Sequence, residues 1–229
     1  MTMTTLEFPL VLVNLKTYRE GTGERAVSLA EASETLSRRT GVCVAVAPQA
    51  LDLRMIAERV DIPVFSQHID PVGYGKYTGH ITPEAVADSG CVGTLINHSE
   101  RRLELDVIEA TVSRARDVGL YSVVCVDTPE KGRDVVPFKP EAVAIEPPEL
   151  IGTGTPVSRA RPEVVSGAVE AVKGIDPGVK VLCGAGITSG RDVGAAALLG
   201  ADGVLVASGV VKAENPFGAL QDLVEALKA

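Results

Sequence analysis

Four stretches of this sequence carry side chains that could do chemistry, and each one follows a short apolar run. They are Asn14 and Lys16 in "NLKTY", Asn97 and His98 in "NHSERR", Glu146 in "AIEPPELIGTG", and the glycine-rich "CGAGITSG" (183–190) paired with "VASGV" (206–210). A carboxylate, an imidazole and an ammonium can serve one site as a base, an electrophile and a cation. Glycine turns between a strand and a helix expose backbone N–H groups that can cradle a phosphate. Each group also has a plainer use. Lys16 could be a surface lysine, His98 a satisfied core histidine, Glu146 a rim ion-pair partner, and the glycines tight turns. Pro147 and Pro148 block a helix directly after Glu146, which weakens the reading of that acid as a helix-start residue. "GAGITSG" spaces its glycines as G-x-G-x-x-x-G and so departs from the dinucleotide fingerprint. The joint occurrence of base, electrophile and cation at separate strand ends favours the functional reading.

The elements that must position these residues form a regular series. Short runs rich in β-branched residues occur at 10–14, 42–47, 63–67, 92–97, 121–127, 142–146, 179–184 and 203–208. They are apolar almost throughout rather than alternating, as parallel strands covered on both faces are. Amphipathic or alanine-rich segments lie between them, notably 24–39, 106–118, 163–173, 191–199 and 217–227. The spacing averages roughly 27 residues, the size of a βα unit. Eight such units predict an α/β fold, a closed (β/α)8 TIM barrel with parallel strands and an outer ring of helices, as a single domain over 1–229. Some helices should be shortened, especially around "TPEKGRD" (128–134). In a barrel of this kind the site is built at the carboxyl ends of the strands, where all four stretches fall. Period-2 alternation puts Asn14 and Lys16 on one side of the first strand.

Composition sets the outer limits. The chain has 229 residues, 45% of them hydrophobic, and a formal net charge of -8. That charge argues against general binding to nucleic acid or to an anionic membrane, so an anionic ligand must be held by a local arrangement of groups. No apolar run is long enough to span a bilayer, and "MTMTTLEF" lacks the features of a signal peptide, from which a cytoplasmic location is expected. Cys43, Cys91, Cys125 and Cys183 are widely spaced with no CxxC pair, and read as buried reduced thiols.

The motifs "NLKTY", "NHSERR" and "AIEPPELIGTG", with the two glycine turns in this order, resemble the triosephosphate isomerase family from about residue 9 onward. The short chain, Pro148-Glu149-Leu150 in place of a tryptophan-bearing hinge, Thr155 in place of a lysine, and "ASG" for the last phosphate turn resemble its archaeal branch. The resemblance implies an aldose–ketose isomerase of triose phosphates, in glycolysis and gluconeogenesis, needing no metal or cofactor. It implies Glu146 as catalytic base, Lys16 as the cation, and His98 as an electrophile held neutral by a following helix N-terminus. Asn14, Lys16, Ile151, Gly152, Gly186, Ala207 and Ser208 would bind substrate. Residues 147–158 would form a mobile lid, with Pro147 and Pro148 stiffening one hinge and Gly152 and Gly154 freeing the other. The long connection 66–84, with Tyr74 and Tyr77 among glycines and prolines, reads as a protruding apolar tip or, more plainly, as an active-site loop folded over its own barrel. In the family it enters a neighbouring subunit, which would set Tyr77 and Thr78 in an interface close to the partner subunit's Lys16; dimer and tetramer both stay open. Two other readings also remain: a Schiff-base aldolase using Lys16, and a silent barrel that only binds phosphate compounds.

Overall fold

The computed structural model describes residues 5–147 and 157–228. Eight parallel strands run β1 (Leu10–Asn14), β2 (Cys43–Ala47), β3 (Phe65–Ser66), β4 (Gly93–Ile96), β5 (Tyr121–Val126), β6 (Ala142–Ile145), β7 (Lys180–Cys183) and β8 (Gly203–Val206). Each is followed by one or two helices: α1 (Glu24–Thr40), α2 (Leu53–Ala57), α3 (Pro83–Asp88), α4 (Leu105–Asp117), α5 (Pro129–Val135), α6 (Val157–Ala160) with α7 (Pro162–Lys173), α8 (Gly190–Leu198), and α9 (Ser208–Val211) with α10 (Pro216–Glu225). The sheet order is β2-β1-β8-β7-β6-β5-β4-β3. β2 and β3 meet through an isolated bridge between Val46 and Val64, so the barrel is nearly closed. The Gln67 amide reinforces that edge by donating to Ala47 O and Lys16 O, both at 2.9 Å.

Strand alternation divides the apolar side chains into two populations. Leu10, Leu12, Phe65, Leu95, Val123, Leu182 and Leu205 belong to the cluster inside the barrel, while Val11, Val13, Val44, Val46, Val124 and Val181 pack under the helices. Small and large residues are matched within the interior. Gly93 lacks a side chain where the Phe65 ring sits, and a β-carbon there would overlap the ring. The same alternation fixes the top layer. Asn14 continues the phase of Leu10 and Leu12, Glu146 that of Ala142 and Ala144, and Gly184 that of Leu182. The ladder carries this phase past the strands, with Glu146 N–H donating to Val126 O at 2.7 Å and Gly184 N–H to Ile145 O at 2.9 Å.

The helices start and stop for local reasons. Thr82 and Thr128 accept from Ala85 N–H and Lys131 N–H at the starts of α3 and α5, each with proline in the first position. Gly41 closes α1 at a φ of 74°, donating to Ser37 O. α5 is a seven-residue helix, the shortening expected at 128–134. Two expectations need correction. The third strand is Phe65–Ser66, not 63–67, because Pro63 has no N–H to donate and Val64 reaches its neighbour through a single bridge. Cys43 is half-buried at the start of β2, whereas Cys91, Cys125 and Cys183 are buried as expected, and all four are free thiols.

Candidate active site

Glu146 stands one residue past β6, 3% exposed, pointing into the mouth of the barrel. Burial pushes its carboxyl from the ordinary 4.5 up to about 7, against the opposing pull of the Cys125 thiol, Lys16 and Arg102. Its Oε2 has no hydrogen-bond partner among the described residues. A buried, under-solvated carboxylate is a stronger base than one in water. Gly184 makes room for it: a β-carbon there would lie 2.5 Å from Glu146 Cγ and 3.2 Å from Cδ. Gly184 is not among the residues with positive φ, so the carboxylate beside it, not backbone conformation, calls for glycine.

His98 follows β4 by two residues and is also buried. Its Nε2 lies 3.6 Å from Glu146 Oε1, and its Nδ1 accepts the Glu100 N–H at 3.2 Å. With Nδ1 accepting, the neutral ring carries its proton on Nε2, facing the carboxylate across the cleft. Burial, and next the nearby Lys16, lower its pKa from 6.5 to about 4, so the ring is a neutral donor at physiological pH. The expected helix N-terminus is not what caps this ring. Residues 98–101 form a turn, closed by Arg101 N–H on His98 O at 2.7 Å, and α4 begins only at Leu105. Asn97 holds the turn at a φ of 61°, its side chain donating to Cys125 O and accepting from Leu103 N–H, both at 2.8 Å.

Lys16 and Asn14 close the third side. Asn14 is buried and accepts the Lys16 N–H at 2.9 Å, which turns the chain at Lys16 to a φ of 48°. The ammonium, on a side chain only 11% exposed, pairs with Glu100 Oε1 at 2.9 Å. That pairing with a carboxylate is an electrostatic use of the lysine and lends no support to a Schiff-base role. The remaining wall is the two glycine turns. Gly184, Gly186, Ala207, Ser208 and Gly209 line one cleft with Asn14, Lys16, Tyr18, His98 and Glu146. Gly186 sits at a φ of 70°, a conformation natural to glycine. Asp192 braces its turn by accepting the N–H groups of Thr188 and Ser189 at 3.1 and 3.0 Å. Ser208 and Gly209 open α9, where their N–H groups have no helical acceptor. The cleft therefore places a base, a neutral donor and a cation at one end and exposed amides at the other.

The family model of triosephosphate isomerase matches residues 9–227. The chain belongs to the triosephosphate isomerase family. It is 52% identical over 216 residues to the triosephosphate isomerase of Methanocaldococcus jannaschii, covering 94% of this chain and 99% of that protein. It is 53% identical to that of Methanosarcina acetivorans over 94% of this chain and 97% of the other. Against the protein of Methanothermus fervidus it is 47% identical, over 96% and 99%. The archaeal character read in the sequence agrees with these relatives.

Within this isomerase family the described residues bring together Asn14, Lys16, His98, Glu146, Gly186, Ala207 and Ser208. Pro147 is buried beside Glu146. Pro148, Ile151, Gly152 and Gly154 lie outside the described residues. The chain is described again from α6, where Ser158 is buried and donates to Asp192 O at 3.1 Å. Tyr77 and Thr78 do not join the cleft. They stand exposed on the 66–84 connection, whose base is pinned by Asp70 and Ile81 through paired bonds of 2.8 and 2.7 Å. The sequence reading passed over Gly184, Glu100, Tyr18 and Gln67. Gly184, Glu100 and Tyr18 lie inside quoted motifs, and the phase of β7 is a signal for the first. Nothing local marks Gln67 as a clasp. No helix among the described residues is long and apolar enough to cross a membrane.

Proposed function

We propose that this cleft interconverts dihydroxyacetone phosphate and D-glyceraldehyde 3-phosphate by proton transfer through an enediolate. Glu146 takes a proton from the carbon beside the carbonyl and returns it to the adjacent carbon. His98 donates its Nε2–H to the substrate oxygens as they gain negative charge, and Lys16 offsets that charge. Asn14 shapes the floor under the reacting carbons through its bond to Lys16 N–H. Gly186, Ala207 and Ser208, with Ile151 and Gly152, surround the phosphate, and Pro147, Pro148 and Gly154 belong to the lid that shields the intermediate from water. The reaction proceeds without a metal or cofactor, in the cytoplasm, as a step of glycolysis and gluconeogenesis.

The observation that carries this reading is the 3.6 Å approach of His98 Nε2 to Glu146 Oε1 while Nδ1 is occupied by a backbone N–H. A substrate laid against this adjoining pair meets a proton acceptor in Glu146 and a neutral donor in His98, side by side on one wall of the cleft. The protein acts as a homo-oligomer. Tyr74, 79% exposed, and Tyr77, 46% exposed, form an apolar tip that another subunit would bury. A second cleft beside Lys16, lined by Thr17, Gln67, His68, Glu100 and Arg101, offers such a tip a seat on a two-fold related copy.

A coupled assay with the two triose phosphates tests the chemistry, together with Glu146→Asp. Retracting the carboxylate displaces the base by about 1 Å, which costs on the order of 10²-fold in rate. Near wild-type turnover by Glu146→Asp would remove Glu146 from the mechanism.

A further inference from the structure

The phosphate end of the cleft has a neighbouring cation that the chemistry leaves unused. Lys212 follows α9 directly, its N–H donating to Ser208 O at 3.1 Å. Its ammonium lies 5.4 Å from the centre of the Tyr18 ring. Tyr18 is half-buried and lines the cleft together with Lys16, Ser208 and Gly209. The same ring therefore borders both the cleft and the ammonium. Lys212 is exposed, and among the described residues it has no carboxylate partner. The other cations near the cleft are compensated: Lys16 by Glu100 at 2.9 Å, Arg101 by Asp70 at 3.5 Å and Arg102 by Asp127 at 3.7 Å.

That asymmetry matters because the chain carries a net charge of -8 and its substrate is an anion. Seen from several ångströms away, an ion pair presents little net charge, whereas an unpaired ammonium attracts a phosphate across about a Debye length, roughly 10 Å at 0.1 M salt. Contact with the ring face keeps the flexible lysine stem beside the cleft instead of leaving it free to wander in solvent.

We propose that Lys212, held against Tyr18, is the entry charge for the substrate's phosphate: it draws the dianion to the glycine turns, and Tyr18 is the positioning residue that fixes where the charge stands. The inference rests on the assignment of the phosphate to those turns. A charge at the rim acts on association and its salt dependence, not on the proton-transfer step. Lys212→Gln should therefore lower kcat/KM for glyceraldehyde 3-phosphate about fivefold at low ionic strength, through KM with kcat kept. The difference should fade as salt is raised. Glyceraldehyde, the same carbon frame without phosphate, should be turned over equally by both proteins. Tyr18→Leu, which keeps the charge and loses its support, should show part of the same salt-dependent loss, and Lys212→Arg should restore most of the wild-type value. Equal salt dependence in wild type and Lys212→Gln would overturn the proposal, as would an equal loss on glyceraldehyde. A wild-type protein that turns over neither compound would instead sink the reading of the site on which the proposal depends.

Discussion

Replacing Glu146 by glutamine should make the protein more stable in alkaline solution while abolishing its activity. The carboxyl is buried, and its pKa is moved from 4.5 to about 7. At about 1.4 kcal/mol per pH unit, holding it charged inside the barrel costs about 3 kcal/mol. The direction with pH follows from where the two states titrate. The unfolded chain releases the proton at about 4.5 and the folded protein only at about 7, so between them the folded state holds the extra proton. Stability from this group is fully present below 4.5, is lost as pH rises through 7, and is absent above. Glutamine, of the same shape, does not titrate. The stability gap between Glu146→Gln and wild type should accordingly widen in favour of the variant by about 3 kcal/mol between about pH 4.5 and about pH 8. In a chain of this length that is on the order of 10 °C in melting temperature. His98, whose pKa is lowered, weakens the protein as pH falls from 6.5 toward 4, and because it lies 3.6 Å from Glu146 the same pair is also compared in a His98→Gln background, which isolates the carboxyl's part. Urea midpoints at both pH values, at one fixed protein concentration, measure the gap. A gap that does not change with pH would refute the reasoning, because it would mean that water reaches the carboxylate.

His98→Gln should lower kcat more than it raises KM, and NMR of the wild-type imidazole should show a neutral ring with no titration near 6.5; a shift change centred there would take away the neutral donor. Gly184→Ala should fold, since its φ is not left-handed, yet lose on the order of 10²-fold in kcat because its β-carbon displaces the Glu146 carboxylate. Its affinity for inorganic phosphate should be kept, and unchanged kcat would show that the base has room to spare. Thr78→Arg should give a poorly active monomer through an unpaired charge in the interface, checked by light scattering at assay concentration; full activity from a monomer would separate the loop from catalysis.

The polar residues that gather at the candidate site are more legible in the sequence than the geometry that holds them. Glu146, His98, Lys16 and Asn14 could be found because strand runs are apolar and a polar residue at their ends breaks the pattern. Five of the longer helices could be placed from their period, whereas α2, α6 and α9 are too short to show one. What stayed hidden depends on contacts distant in sequence. The turn N–H that fixes the His98 tautomer is two residues away, but the space for Glu146 is provided by Gly184 and the edge of the sheet is held by Gln67, each on another strand's connection. A glycine read alone cannot say whether it serves a turn or makes room for a neighbour. Gly186 does the first and Gly184 the second, two residues apart in one motif.

The join between β2 and β3 has a dynamic consequence. Elsewhere the barrel is held by backbone ladders, but here closure depends on one bridge, of which the bond from Val46 N–H to Pro63 O is part, and on the two-pronged amide of Gln67. Fewer ladder pairs join the strands there than anywhere else around the ring, so among the strand amides solvent deuterium should enter first at Val46 and last along β1 and β8. One prong of that amide rests on the carbonyl of Lys16. A transient parting of the wall is therefore felt directly at Lys16, and whatever clamps the 66–84 connection against this flank also tightens the floor of the cleft.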